Sequence, residues 1–246
     1  MRQKHFGDMI LLEGSEPLIQ GGTGEGMDRE MRRFDTVIFD LDGTLLDTLE
    51  DLVDSTNYAL RQNGFPTRSL AEVRQFVGNG VARLIHLALP AQVSPELEAR
   101  CLETFKGHYR LHMQDKTGPY PGIPALLERL RADGFRLAVV SNKFDDAVKT
   151  LCSHSFGPLV PLALGERPGL RKKPAPDLVL QALRELKAEP ARAVYVGDSE
   201  VDLQTARNAH LPCLSVAWGF RDRVFLQKQG AGSVADTPEE LLRLLL

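Results

Sequence analysis

Cysteine is scarce in this sequence, and the three residues present form no pattern. Cys101, Cys152 and Cys213 are odd in number and far apart, so no pair has the spacing of a metal site or a redox motif. Each lies among apolar neighbours, which predicts three reduced thiols in a core. We therefore expect a cytoplasmic protein rather than one held together by disulfides.

The sequence also lacks a strong excess of charge and any long apolar run. Its formal net charge is -3 and no basic stripe stands out, whereas nucleic-acid binders usually carry a positive face. No apolar run approaches the roughly 20 residues of a membrane span, and residues 9–12 are too short for a signal-peptide core. We therefore expect no nucleic-acid partner and no membrane, and a monomer or homodimer.

The first 33 residues differ in composition from the rest. The glycine-rich stretch 21–26 cannot propagate a helix or a strand, and Met27 and Met31 are alternative starts just before the first predicted strand. We therefore expect residues 1–33 to be a disordered N-terminal extension.

Continuous apolar runs that lack alternation predict strands buried on both faces. They occupy residues 36–40, 136–141, 193–197 and 213–217, and amphipathic segments separate the later ones. This alternation predicts an α/β fold with a doubly wound parallel sheet. The proline- and glycine-rich stretch 158–176 predicts a loop.

Residues 48–118 break the alternation, because they contain helical patterns and no strand pattern. We therefore predict a core domain built from residues 34–47 and 119–246, with a helical cap domain inserted as residues 48–118.

Polar residues follow the predicted strands at their carboxyl ends, where doubly wound sheets bind ligands. They are Asp40, Asp42, Gly43 and Thr44 after the first strand, Ser141, Asn142 and Lys143 after the second, Asp198 and Asp202 after the third, and Lys173 in the preceding loop. Three strands thus direct polar groups to one place.

These residue types point to phosphoryl transfer. A carboxylate such as Asp40 can attack phosphorus and form an acyl phosphate, and Asp42 is placed to protonate the leaving group. Clustering Asp40, Asp42 and Asp198 is unfavourable without a cation, and Mg²⁺ suits oxygen ligands beside phosphate. Ser141 and Lys173 can hold the phosphoryl oxygens, with main-chain N–H groups after Asp40.

Four stretches carry a resemblance to a known family. They are DLDGTLLD (40–47), VVSNK (139–143), KKPAPD (172–177) and VGDSEVD (196–202). In order and spacing they resemble the four motifs of the haloacid dehalogenase-like superfamily over about residues 34–240. Residues 122–143, VGNG (77–80) and WGF (218–220) most resemble its phosphoglycolate phosphatase group.

The resemblance implies a role for each motif position. Asp40 would be the nucleophile, and Asp42 the general acid and base, with its main-chain carbonyl binding Mg²⁺. Asp198 would be the other protein ligand, and Asp202 would support the metal site or pair with Lys173. Ser141, Asn142 and Lys173, with Gly43 and Thr44 of the turn, would bind phosphate.

Other positions keep two interpretations. Asn79 and Arg83 either belong to a simple helix connection or face the substrate, and Lys143 is either a surface lysine or a partner for a substrate carboxylate. Asp47 fits a hinge or helix N-terminus better than direct chemistry. His210 stands at a helix end where relatives commonly have glycine.

The resemblance implies a Mg²⁺-dependent phosphatase for a small phosphorylated metabolite, with 2-phosphoglycolate as the first candidate. An acid at position 42 excludes the dehalogenase branch. The alternatives are a phosphosugar mutase, which would need a bisphosphate primer, and a sugar phosphatase or pyrophosphatase. A phospho-receiver or regulatory binding module is the non-enzyme alternative, although receivers lack a helical insertion after the first strand.

Overall fold

A six-stranded parallel sheet forms the centre of the computed structural model, which describes residues 32–246. In chain order the strands of the whole fold are β1 (Thr36–Phe39), β2 (Leu46–Asp47), β3 (Gly118–Pro119), β4 (Arg136–Phe144), β5 (Leu162–Glu166), β6 (Ala193–Gly197), β7 (Cys213–Val216) and β8 (Ser233–Ala235). The large sheet has the order β5-β4-β1-β6-β7-β8, so β1 lies between β4 and β6. The predicted extension lies outside the described residues, except for Arg32 and Arg33.

The described part of the chain contains ten α-helices. They are α1 (Leu49–Gln62), α2 (Leu70–Phe76), α3 (Val81–Ala88), α4 (Pro95–His112), α5 (Ile123–Ala132), α6 (Asp145–Phe156), α7 (Asp177–Leu186), α8 (Glu200–Asn208), α9 (Arg223–Lys228) and α10 (Pro238–Leu245). None of these helices combines the length and the apolar character needed to cross a membrane.

The central strands are buried on both faces, as their continuous apolar sequences predict. Val37 and Phe39 of β1 belong to one apolar cluster and Ile38 to another, because successive side chains of a strand point to opposite faces. Helices α5, α6 and α10 contribute to the first cluster, and α7 and α8 to the second. The predicted doubly wound α/β sheet is therefore confirmed.

Residues 48–118, called the cap segment below, form helices α1 to α4. Ser69 and Glu72 make reciprocal hydrogen bonds at the start of α2, and Ser94 accepts the Leu97 N–H at the start of α4. The side chains of Leu60, Ile85 and Phe105 are fully buried between these helices. The apolar interior of the cap segment is continuous with the apolar cluster on one face of the sheet.

A short antiparallel ribbon marks where the chain enters and leaves the cap segment. Leu46 pairs with Pro119, and Asp47 pairs with Gly118. The exposed Asp47 side chain also accepts the Leu49 N–H at 3.2 Å, at the start of α1. Asp47 therefore acts at the helix N-terminus, which is one of the two roles expected for it.

Two strands of the sheet lie where no strand was predicted. The 158–176 stretch was predicted as a loop, yet it contains the edge strand β5, and β8 forms the opposite edge. A Cβ on Gly165 in β5 would collide with the backbone of Lys143 and Asp145, so glycine is needed for close packing there. Glycine inside a short edge strand resembles a loop in sequence, which explains the error.

The three cysteines are all unpaired. Cys101 and Cys152 are buried, and Cys213 is partly buried. Burial raises the pKa of the Cys152 thiol to about 12, so this thiol is protonated near neutral pH. The predicted core thiols agree with this placement.

Candidate active site

The carboxyl ends of β1, β4 and β6 meet at one pocket, because these three strands are neighbours in the sheet. The core residues that line it are Asp40, Asp42, Ser141, Asn142, Lys143, Lys173, Asp198, Ser199, Phe220 and Arg221. Its cap residues are Leu52, Val77, Gly78, Gly80, Val81 and Leu84. The pocket therefore lies at the topological switch point of the sheet, between the core and the cap segment.

Lys173 is the central cation of the pocket. Its Nζ lies 2.8 Å from Asp40 Oδ1 and 2.8 Å from Asp202 Oδ1, and it contacts the Tyr195 hydroxyl at 3.1 Å. Burial opposes the charge, but Asp202 and Asp40 keep the pKa of Lys173 well above its ordinary value. The lysine is therefore a permanent positive charge beside the proposed nucleophile.

Asp40 lies in a strongly anionic environment despite this cation. Burial and the Asp202 carboxylate raise the pKa of Asp40 well above its ordinary range, although Lys173 opposes the shift. The N–H of Leu41 and the Lys173 Nζ both contact Oδ1, at 2.7 and 2.8 Å. Both of these contacts, found within residues 32–246, are made to Oδ1. Oδ2 is therefore the oxygen available to attack.

Asp198 is held by two loops. Its Oδ1 accepts the Thr44 hydroxyl at 3.2 Å, and its Oδ2 accepts the Phe220 N–H at 2.7 Å. Gly43 and Gly219 pack so closely around it that a Cβ on either would collide with the carboxylate. Burial and the nearby Asp202 raise the pKa of Asp198 to about 7.

The carboxylates of Asp40, Asp198 and Asp202 form the group in the described residues that could hold a metal ion. One oxygen from each lies within 4.8 Å of the other two, and all three residues are buried. Buried acids at this separation repel one another, and hard oxygen donors are the ligands that Mg²⁺ prefers. The residues present therefore fit a divalent cation, and one bound there would neutralise charge on the carboxylates and on a phosphate.

Asp42 faces the same pocket but has different partners. Its Oδ1 accepts the Thr48 hydroxyl at 2.6 Å and lies 2.9 Å from the Lys143 Nζ, and its Oδ2 is 3.5 Å from Ser141 Oγ. Its side chain is not part of the carboxylate group described above. The two acids of the first motif therefore have distinct environments, which suits distinct roles.

Lys143 is buried, so the surface interpretation is wrong. Its Nζ donates to the Tyr109 hydroxyl at 2.9 Å as well as contacting Asp42, and it lies 4.7 Å from the Tyr109 ring centroid. Burial opposes the charge, but Asp42 and Tyr109 raise the pKa of Lys143 above its ordinary value. Tyr109 belongs to α4 of the cap segment, so Lys143 links Asp42 to the cap.

Asn142 also links core and cap. Its side-chain amide donates to the main-chain oxygen of Gly78 at 3.1 Å and of Lys173 at 3.0 Å, while its Oδ1 is buried without a partner. Both amide hydrogens are thus used by main-chain carbonyls. The expected role in holding phosphate remains a prediction.

Gly43 and Thr44 brace the loop that follows Asp40. The Gly43 N–H donates to Leu46 O at 2.9 Å, and Gly43 has a φ of 82°, which favours glycine. The Thr44 main-chain oxygen accepts the Trp218 indole N–H at 3.0 Å, in addition to the Thr44 contact with Asp198. These contacts orient the loop and the carboxylate beside it.

The pocket contains different cap residues from those singled out in the sequence. Asn79 and Arg83 are not among its lining residues, whereas Gly78 and Gly80 are, and Arg83 is exposed. Arg221 lines the pocket and was not predicted. The sequence indicates Arg221 only weakly, as an arginine directly after the WGF stretch. The residues that Arg221 contacts are distant from it along the chain.

Comparison with known proteins identifies the family to which this fold belongs. A family model described as haloacid dehalogenase-like hydrolase matches residues 37–216. A phosphoglycolate phosphatase of Aquifex aeolicus is 32% identical over 210 residues, covering 85% of this chain and 95% of the relative. One of Cereibacter sphaeroides is 35% identical over 217 residues, covering 85% and 98%.

Solved structures agree with these sequence matches. A protein of Lactobacillus delbrueckii subsp. bulgaricus superposes with a TM-score of 0.84 at 39% identity, covering 88% of this chain and 99% of that one. CbbY of Rhodobacter sphaeroides, solved in complex with phosphate, superposes with a TM-score of 0.69 at 29% identity, covering 85% and 96%. The chain therefore belongs to the haloacid dehalogenase-like hydrolase family, and it resembles the phosphoglycolate phosphatase-type members.

Proposed function

We propose that this enzyme is a Mg²⁺-dependent phosphatase that hydrolyses a small phosphomonoester through an aspartyl-phosphate intermediate. The observation that carries the proposal is the 2.8 Å contact between Lys173 and Asp40, in a pocket that Asp42, Ser141 and Asp198 also line. This arrangement supplies a nucleophile, a second acid and a positive charge at one place, as phosphoryl transfer requires.

In the first step, Asp40 Oδ2 attacks phosphorus and the bond to the leaving oxygen breaks. Lys173 and the Ser141 hydroxyl orient and neutralise the phosphoryl oxygens, and Asp42 delivers a proton to the leaving oxygen. In the second step, Asp42 takes a proton from a water molecule, which attacks the acyl phosphate and regenerates Asp40. The main-chain carbonyl of Asp42 and the carboxylates of Asp40 and Asp198, supported by Asp202, would hold Mg²⁺, which stabilises charge on the transferring group.

The cap segment, in this proposal, is a domain that closes over the substrate and excludes water from the first step. Leu52, Val77, Val81 and Leu84 give the cap side of the pocket an apolar lining. Two relatives are named phosphoglycolate phosphatases, so 2-phosphoglycolate is the first substrate to test. The unpaired cysteines are compatible with the reducing cytoplasm, which we propose as the location.

A panel of phosphoesters tests the proposal. Wild-type protein should release phosphate from at least one small ester with Mg²⁺ and not with excess chelator, and Asp40→Asn should lower kcat about a thousandfold or more. Asp47→Asn is the matched control, because Asp47 is in the same motif but exposed, and it should retain activity. Full activity in Asp40→Asn, or wild-type activity that is unchanged by excess chelator, would contradict the proposal.

The same panel separates hydrolase from mutase. A phosphosugar mutase would isomerise a sugar phosphate only after priming by a bisphosphate, with little net phosphate release. We expect phosphate release without a primer.

A further inference from the structure

One arginine of the core contacts the cap segment through several hydrogen bonds. Arg221 lies in the loop after β7, and its Nε and Nη2 lie 3.1 and 3.4 Å from the two carboxylate oxygens of Glu200, at the start of α8. A two-point contact of this kind fixes the plane of a guanidinium. The core therefore determines where this group lies.

The same guanidinium contacts the end of cap helix α2. Its Nη1 donates to the main-chain oxygen of Arg74 at 3.0 Å, and Nη2 lies 3.5 Å from that of Gln75 and 3.4 Å from that of Val77. The last carbonyls of a helix have no partner inside it and carry its negative dipole end, so they attract a cation. The Arg221 side chain is only 12% exposed, so water competes little for these bonds.

The chain that follows this helix end forms the cap wall of the pocket. Val77, Gly78, Gly80 and Val81 line the pocket together with Arg221. Gly78 has a φ of 122° and Gly80 a φ of 83°, so the chain turns sharply here in a conformation that favours glycine. The position of the end of α2 therefore determines where this wall lies above the catalytic acids.

We propose that Arg221, anchored by Glu200, is a positioning residue that fastens the end of α2 to the core and so places the cap wall over the substrate. Asn142 holds the same segment through Gly78 O, so the wall has two attachments to the core. The consequence for substrate binding depends on the function proposed above, whereas the attachment itself does not.

Hydrogen exchange measured by mass spectrometry over residues 70–81 tests the attachment without any need for activity. In the full chain, Arg221→Met should speed exchange of this segment about tenfold or more, since hydrogen bonds to a charged group are lost. Arg221→Lys keeps the charge but not the planar fork, so it should give an intermediate effect. Glu200→Gln should act in the same direction.

Arg223→Met is the matched control. Arg223 lies two residues further along and pairs with Asp236 and Glu240 rather than with the cap. Exchange of residues 70–81 should not change in this variant. An unchanged exchange rate in both Arg221 variants would overturn the proposal, as would an equal effect of Arg223→Met.

Kinetics give a second readout once a substrate is known. Arg221→Met should raise KM about tenfold or more and lower kcat by less, because the wall is misplaced while the reacting groups are intact. If exchange changes but no ester is hydrolysed by wild type, the proposed function fails and the attachment stands. If wild type is active and the variants change neither exchange nor KM, the attachment fails and the function stands.

Discussion

Lys173 offsets much of the buried negative charge in the pocket. Two carboxylates contact its Nζ, and its side chain is 2% exposed. Removing one partner of a buried ion pair leaves uncompensated charge, which costs more than the pair itself contributes. The residue is therefore expected to support folding as well as chemistry.

Lys173→Met should lower the free energy of unfolding by about 3–5 kcal/mol, measured by urea denaturation without added metal. Lys149→Met is the control, because Lys149 also pairs with an acid, Asp145, but is 55% exposed. It should change stability by less than about 1 kcal/mol. Equal losses in the two variants would refute the special role of Lys173.

Glycine at position 219 is expected to be required for metal binding because of the groups packed against it, rather than because of its backbone flexibility. A Cβ there would collide with the Gly43 carbonyl and the Asp198 carboxylate. In Gly219→Ala the carboxylate must move, so the Mg²⁺ concentration for half-maximal activity should rise about tenfold or more. Gly232→Ala, where a Cβ would meet nothing within 4 Å, should behave like wild type; an unchanged Mg²⁺ requirement in Gly219→Ala would contradict this view.

The placement of strand-end residues in the site could be predicted from the sequence, whereas their contacts with cap residues could not. Asp40, Asp42 and Asp198 lie in the pocket because the end of a strand specifies where its next residues lie. In the sequence, Tyr109 is indistinguishable from the other apolar positions of α4. Only the fold brings its hydroxyl to Lys143. The same holds for Arg221, whose carbonyl partners lie 144 to 147 residues away.

At the level of elements, the residue type at the end of α8 does not suit the backbone conformation there. His210 has a φ of 56°, and the N–H groups of His210 and Leu211 donate to Arg207 O and Ala206 O, which is the Schellman pattern of a helix end. Residues with a Cβ are strained in this conformation. The departure from glycine noted in the sequence thus falls at a left-handed position.

His210→Gly should therefore stabilise the protein by about 1 kcal/mol, measured as a higher urea midpoint at unchanged slope. Lys187→Gly offers a parallel case, because Lys187 follows α7 with a φ of 51°. Activity should not change in either variant. A lower midpoint for both would show that the flexibility of glycine in the unfolded chain outweighs the relief of strain.

Long, periodic elements could be predicted well, and short edge elements could not. The four cap helices have an apolar stripe, which is visible in sequence. Edge strands β5 and β8 are short and pair on one side only, so their sequences carry little pattern. Their existence follows from the neighbouring strand, which is a property of the whole sheet.

At the level of the whole molecule, the carboxylate cluster makes stability depend on pH and on metal. Burial raises the pKa of Asp198 to about 7, whereas an unfolded aspartate has a pKa of about 3.9. The folded, metal-free protein thus holds a proton that the unfolded chain releases, so this group's contribution to stability falls as pH rises from about 4 to about 7. A bound cation would favour the ionised form and oppose that loss.

Mg²⁺ should therefore raise the melting temperature more at pH 8 than at pH 6. Binding at a hundredfold excess over Kd stabilises by about 2.7 kcal/mol, which corresponds to a shift of about 5–10 °C for a chain of this size. Thermal unfolding with and without MgCl₂ at the two pH values measures this. Asp198→Asn should abolish the shift, and a larger shift at pH 6 would contradict the prediction.

The ribbon of β2 and β3 has a consequence for how such proteins diversify. Because Leu46 faces Pro119 and Asp47 faces Gly118, the chain departs from the core and rejoins it at adjacent points. An insertion whose ends lie side by side adds little constraint on the fold that hosts it. Recombination could therefore exchange this segment for one of different length while the sheet and its acids stay in place, so that selectivity evolves separately from chemistry.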